Sequence, residues 1–128
     1  MSSFRGISHF ALSVTDLDRS TRFYTEVLGL IAVLDFGHGR ICLDRASGFS
    51  IGLIEQPAET PTSFSELNTG LDHLGLATAD LDELNGWEER LTSLDVPHSP
   101  IQETAFGHHL NFRDPDNIAL EFFIAPGT

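Results

Sequence analysis

His9 and His73 stand 64 positions apart in a chain of 128 residues, and each opens the same phrase. His9-Phe10-Ala11-Leu12-Ser13-Val14-Thr15-Asp16-Leu17-Asp18 aligns without a gap on His73-Leu74-Gly75-Leu76-Ala77-Thr78-Ala79-Asp80-Leu81-Asp82. A repeat of half the chain length reads as one structural module used twice. It sets two imidazoles, each a potential metal ligand, at equivalent points. A third donor is Glu121, flanked by Leu120, Phe122, Phe123 and Ile124. A carboxylate in such apolar company is costly to bury unless it is paired or bound to a metal. Two histidines and one carboxylate on neighbouring strands form the facial donor set favoured by Fe2+, Mn2+ and related ions, with positions left open for substrate. Neutral imidazole and ionised carboxylate supply the donor atoms, so binding should weaken as pH falls below ~6.

These donors need elements to carry them. Ile7 to Val14 alternates, with Phe10, Leu12 and Val14 on one face and His9, Ala11 and Ser13 on the other, the signature of a strand. Thr15 and Asp16 suit a helix N-cap, and Leu17, Phe23, Tyr24 and Val27 continue at helical spacing until Gly29 stops the helix. Strands are expected at Ile31 to Phe36, Gly39 to Asp44 and Phe49 to Glu55, separated by turn residues. A Pro-, Ser- and Thr-containing stretch over 57–69, with Thr60, Pro61 and Thr62, reads as a linker. The second half repeats the order. Leu71 to Thr78 is a strand, Asp80 caps a helix to about Leu94, and Val96 to Pro100 holds a short strand. His108 to Arg113 and Ile118 to Ile124 are strands joined by the turn Asp114-Pro115-Asp116-Asn117. The expected fold is α+β, two pseudo-symmetric βαβββ modules (4–56 and 70–126) within a single domain, 1–128. Strand parity sends Glu121 to the face away from the helix, with Ala119 and Phe123.

Composition removes several function classes. Net charge is −12 and all seven basic residues are arginine, so chemistry that rests on a lysine is excluded. Such acidity argues against nucleic acid or an anionic membrane as partner. No stretch approaches the ~20 apolar residues that span a bilayer, and no secretory signal opens the chain. Cys42, the single cysteine, cannot form an internal disulfide, which fits a cytoplasmic protein.

Two further stretches make a resemblance specific. They are Phe23-Tyr24-Thr25-Glu26-Val27-Leu28-Gly29-Leu30 and Phe112-Arg113-Asp114-Pro115-Asp116-Asn117-Ile118-Ala119-Leu120-Glu121. With the paired strand–helix phrases they resemble the vicinal oxygen chelate superfamily. That group includes glyoxalase I, fosfomycin- and bleomycin-resistance proteins, methylmalonyl-CoA epimerases and extradiol dioxygenases. The resemblance covers nearly the whole chain. It implies two βαβββ modules whose sheets curl into one cup, usually in a homodimer. It implies that His9, His73 and Glu121 hold a divalent ion (Fe2+, Mn2+, Zn2+ or Ni2+), with the fourth corner falling on Gly52.

Glyoxalase I and the epimerase carry Glu or Gln at that corner, whereas fosfomycin-resistance transferases and extradiol dioxygenases use three protein ligands. The transferases also use a lysine, which this chain lacks, and a threonine where Ala11 stands. Extradiol dioxygenases place a tyrosine where Asn111 stands and a histidine around Gln102 to Thr104. Lyase, isomerase, transferase and dioxygenase chemistry therefore stay unresolved at this point. Strand parity with the resemblance turns His109 and Asn111 into the cup and His108 and Leu110 out. His109 is then the candidate general acid or base, since imidazole titrates near neutrality, and Asn111 the group that orients a polar substrate atom. The expected substrate is a small molecule with two adjacent oxygens. The rival expectation is a non-catalytic drug- or metabolite-binding protein of the bleomycin-resistance kind. His38 and His98 read as surface residues, Trp87 as packing between helix and sheet, and Arg113 as bridging Asp114 or Asp116.

Overall fold

The computed structural model describes residues 2–57, 59 and 63–127, so Thr60, Pro61 and Thr62 of the expected linker lie outside the described residues. The chain divides into two compact units, Met1–Thr60 and Pro61–Thr128. In the first, β1 (Phe10–Val14) leads to α1 (Leu17–Arg22) and a π-helical turn (Phe23–Val27), then to β2 (Ile31–Asp35), β3 (Gly39–Leu43) and β4 (Ser50–Glu55). In the second, β5 (Leu74–Ala77) precedes α2 (Leu81–Ser93), β6 (Gln102–Thr104), β7 (Gly107–Arg113) and β8 (Ala119–Ile124).

Each unit forms one four-stranded sheet, ordered β1-β4-β3-β2 in the first and β5-β8-β7-β6 in the second. The first strand of each unit pairs in parallel with the last, and the remaining pairs are antiparallel. The topology βαβββ therefore occurs twice, as the repeat requires.

Capping explains where the helices begin. Asp16 stays extended and its carboxylate accepts the Arg19 backbone N–H at 3.0 Å. Asp80 does the same for Glu83 at 2.9 Å, and the Glu83 carboxylate accepts the Ala79 N–H at 2.9 Å. This reciprocal pair satisfies donors that a bare helix start leaves open.

The helix expected to run regularly to Val27 changes pitch at Phe23 instead. Thr21 and Thr25 donate their hydroxyls to the carbonyls of Leu17 (2.6 Å) and Thr21 (2.8 Å), which competes with the regular ladder. The Leu28 N–H then reaches back to Phe23 O, at 3.4 Å. Gly29, at φ +78°, ends the segment.

Sheet packing follows the alternation. Leu12, Val14, Tyr24, Cys42, Ile51 and Leu53 are buried in the first unit, and Leu84, Leu91, Leu110, Leu120, Phe122 and Ile124 in the second. Burial pushes the Cys42 thiol above its ordinary pKa, which keeps it inert. Trp87 of α2 stacks on Phe122 with centroids 4.2 Å apart, and Phe112 stacks on the same ring at 5.1 Å. The opposite face of β8 carries Ala119, Glu121 and Phe123, all part-exposed. Among the described residues no helix is long and apolar enough to cross a membrane.

Two strand assignments differ from expectation. Val96 to Pro100 makes only an isolated bridge, His98 to Phe112, while a strand forms at Gln102–Thr104. All three residues of that strand are exposed, so no apolar alternation marks it in the sequence. The strands that follow the two histidines also begin late, at Phe10 and Leu74. His9 and His73 thus precede their ladders, since the first paired residues are Phe10 with Ile51 and Leu74 with Leu120.

Candidate functional site

Register builds the site of the second unit. Gly75 of β5 lies opposite Glu121 of β8, which lies opposite Asn111 of β7, so these three share the face turned away from α2. His73, just before β5, aims Nε2 at Glu121 Oε1 across 3.3 Å. His109, two residues before Asn111, brings Nδ1 to 4.0 Å from Glu121 Oε2 and 3.2 Å from Asn111 Oδ1. Three of the five residues singled out from sequence, His73, His109 and Asn111, therefore gather around the carboxylate of a fourth, Glu121. The fifth, His9, belongs to the first unit, where it is exposed and contacts Ser8 Oγ through Nδ1 at 2.9 Å.

Gly75 is the residue that lets Glu121 take this position. A methyl group there would sit 3.2 Å from Glu121 Oε1, closer than ordinary contact. In the first unit the matching pair is reversed. Ala11 holds the β1 position, and the β4 position opposite it is Gly52. A side chain on Gly52 would meet the Ala11 methyl at 3.5 Å. Thus one module offers a carboxylate over a glycine, and the other an alanine opposite a bare backbone.

Asp72 organises His73. Its Oδ1 lies 2.7 Å from His73 Nδ1 and accepts the proton there. Nε2 is then the nitrogen directed at Glu121. The Asp72 hydrogen bond raises the His73 pKa above 6.5, burial opposes the rise, and the negative charge of Glu121 adds to it. A carboxylate behind a ligand imidazole is the arrangement that fixes tautomer and increases basicity in metal sites. Ser8 stands where Asp72 stands one repeat later, and it too engages Nδ1 of the histidine that follows.

An open cavity of about 510 Å3 lies against this face, its lining including Asp72, His73, His98, Asn111, Arg113 and Glu121. His98, expected at the surface, is part-buried and committed at both nitrogens, to Ser99 O (2.6 Å) and Thr92 Oγ (2.7 Å). Ser99 in turn locks the Asn111 backbone, whose N–H donates to Ser99 Oγ at 3.0 Å. Arg113, expected to bridge Asp114 or Asp116, pairs with Glu66. Its guanidinium makes two 2.9 Å bonds to the Glu66 carboxylate and a third, at 3.0 Å, to Asn117 O. The paired charge holds the Glu66 pKa down at about 2.

The sequence did not single out Asp72, Ser8 or Glu66. A signal existed for the first two, because a polar residue precedes the histidine in each repeat. Glu66 had none, since its partner lies 47 positions away. Among the described residues no group of three His, Cys, Asp or Glu side chains is arranged to hold a metal ion. The second unit supplies two donors of the expected set. An imidazole nitrogen with its tautomer fixed from behind and a carboxylate facing it suit a borderline divalent cation.

Comparison with known proteins follows the same lines. A domain from Frankia sp. EAN1pec, described as glyoxylase/bleomycin resistance protein/dioxygenase, is 38% identical over 96% of this chain and 99% of its own, with a TM-score of 0.88. A lactoylglutathione lyase from Agrobacterium tumefaciens shares the fold at 22% identity and TM-score 0.76, covering 96% of each chain. A mutant fosfomycin resistance protein, FosX, from Listeria monocytogenes, complexed with Mn(II) and 1S,2S-dihydroxypropylphosphonic acid, shares it at 19% identity and TM-score 0.73. That match covers 98% of this chain and 95% of the FosX chain. The profile of the Glyoxalase/Bleomycin resistance protein/Dioxygenase superfamily matches residues 6–122. The chain belongs to that superfamily, the vicinal oxygen chelate group of proteins.

Proposed function

We propose that this chain is a cytoplasmic, divalent-metal-dependent enzyme that acts on a small molecule through two adjacent oxygens. His73 and Glu121 are two of its metal ligands and His9 is the third, contributed by a first unit of the same chain or of a second copy. The observation that carries this reading is the Asp72–His73–Glu121 line, at 2.7 and 3.3 Å. Nothing in packing the sheet requires a histidine held between two carboxylates on its open face.

Bound there, a divalent ion supplies Lewis acidity toward the substrate oxygens. The chain's own groups do the rest. With its Nδ1 proton donated to Asn111 Oδ1, His109 keeps Nε2 to accept or deliver a substrate proton. Asn111 keeps its amide N–H groups to orient a substrate oxygen, on a backbone pinned by Ser99.

A homodimer completes the proposal. β2 is an edge strand with every residue exposed, among them Ile31, Val33 and Leu34, the last at 53%. Monomers rarely leave such an apolar edge bare. The rival reading, a protein that only sequesters a drug, gives the His73–Glu121 pair no task.

Elemental analysis of protein purified without chelators separates the two. The proposal expects one divalent ion per chain, reduced to background in His73→Ala. A metal-free protein that binds ligands equally well in both forms would support sequestration instead.

A further inference from the structure

The cavity beside Glu121 has a charge balance that selects its ligand. Glu66, Asp72 and Glu121 line it with three carboxylates, and Arg113 is the one guanidinium among the lining residues. That guanidinium already has an ionic partner. Two 2.9 Å bonds to Glu66 and one to the Asn117 carbonyl leave its fork engaged. The Glu66 segment is itself tied down, since the Phe64 N–H donates to Asp116 O at 2.8 Å and Asn117 Nδ2 donates to Phe64 O at 3.0 Å.

The first unit adds no cation on its corresponding sheet face. Ala11, Gly52 and Ile41 occupy that face in register, all uncharged. Arg40 is paired with the buried Leu53 and so projects from the opposite face, where it bonds Asp18 at 2.8 Å and Thr21 at 3.0 Å. Among the described residues, the first unit's strands therefore carry no arginine on that face.

With imidazoles neutral, the lining carries two net negative charges. One divalent ion cancels them and leaves nothing to hold an anion. Resting on the proposed metal site, we infer that the substrate is a vicinal-oxygen compound without an anionic group, uncharged or cationic apart from the two oxygens that meet the ion. Phosphonates, carboxylates and phosphate-bearing carriers are disfavoured by the same carboxylates that would attract an ammonium. The Glu66–Arg113 pair is the specificity determinant, because Glu66 masks the charge an anion would need.

Three hydroxamates test this, since each offers the same two adjacent oxygens. Acetohydroxamate is the neutral member, succinohydroxamate adds a carboxylate, and β-alanine hydroxamate adds an ammonium. Their affinities for the Mn2+-loaded protein are read by calorimetry, with bound Mn2+ measured on the same samples by equilibrium dialysis. The neutral and cationic members should bind about tenfold tighter than succinohydroxamate at low salt. In Glu66→Gln, Arg113 is released and the gap should close, with an unchanged circular-dichroism melting curve as the control for folding. Succinohydroxamate binding as tightly as acetohydroxamate to the wild-type protein overturns the charge rule alone, whereas no binding of any of the three while Mn2+ is retained overturns the adjacent-oxygen reading and this inference with it. A protein that retains no Mn2+ overturns the metal site and this inference with it.

Discussion

Asp72 decides which nitrogen of His73 faces the carboxylate, and it also decides when that nitrogen is free. The Asp72 hydrogen bond raises the His73 pKa above its ordinary 6.5. The proton is therefore held to a higher pH than in an isolated histidine, and it competes with metal. Affinity should be full above the raised pKa and fall as pH drops through it, so the decline begins above 6.5 rather than below it. Asp72→Asn removes the main cause. Its midpoint should move to lower pH, while the affinity plateau drops by about tenfold as orientation is lost. Equilibrium dialysis with Mn2+ between about pH 5.5 and 8 gives both quantities. A midpoint unmoved by the substitution would show that Asp72 does not govern this imidazole. That His73, Glu121, His109 and Asn111 share one face was legible in the sequence, through the repeat and strand parity for the first two and through parity with the family resemblance for the last two. Asp72 was hidden by its ordinariness, one more acidic residue in an acidic chain.

The elements hold these side chains through one mechanism, a sheet with a packed face and an open face. Glu121 projects to the open side because its neighbours Leu120 and Phe122 are drawn under α2, where Trp87 stacks on Phe122 at 4.2 Å. Leu84 and Leu91, fully buried on α2, are the helix's other anchors. Leu84→Ala should cost about 2–5 kcal/mol by opening a cavity beneath the sheet. Chemical denaturation monitored by Trp87 fluorescence measures this, and a loss below about 1 kcal/mol would mean the helix packs elsewhere.

Alternation and capping residues announced most elements correctly. Asp16 and Asp80 marked both helix starts, each bonding the N–H three residues on. Two local departures were not announced. The π-helical turn arises from threonine hydroxyls reaching back to carbonyls, a competition decided by geometry rather than residue type. Strand β6 exists because β7 offers it a ladder, not because Gln102, Glu103 and Thr104 favour one.

At the scale of the molecule, the duplicated topology was the most legible feature, since a repeat at a fixed spacing survives every local ambiguity. The two copies have diverged where function would demand it. One carries Gly75 beneath Glu121, the other Ala11 opposite Gly52, so only the second copy presents a carboxylate at that register position. A dimer joined through the apolar edge of β2 should sediment at twice the 14.1 kDa of the chain. Val33→Glu, which places a charge on that exposed edge, should return it to the mass of one chain. Sedimentation equilibrium reads both, and a wild-type protein that remains monomeric at high concentration would remove the dimer from the account.

The central claim is that duplicated histidines and a lone glutamate hold one cation. Anomalous diffraction from crystals grown with Mn2+ tests it most directly. The account predicts a single peak about 2.1 Å from one imidazole nitrogen each of His9 and His73 and from a carboxylate oxygen of Glu121. A peak held without His9, or no peak beside Glu121 at all, would contradict it.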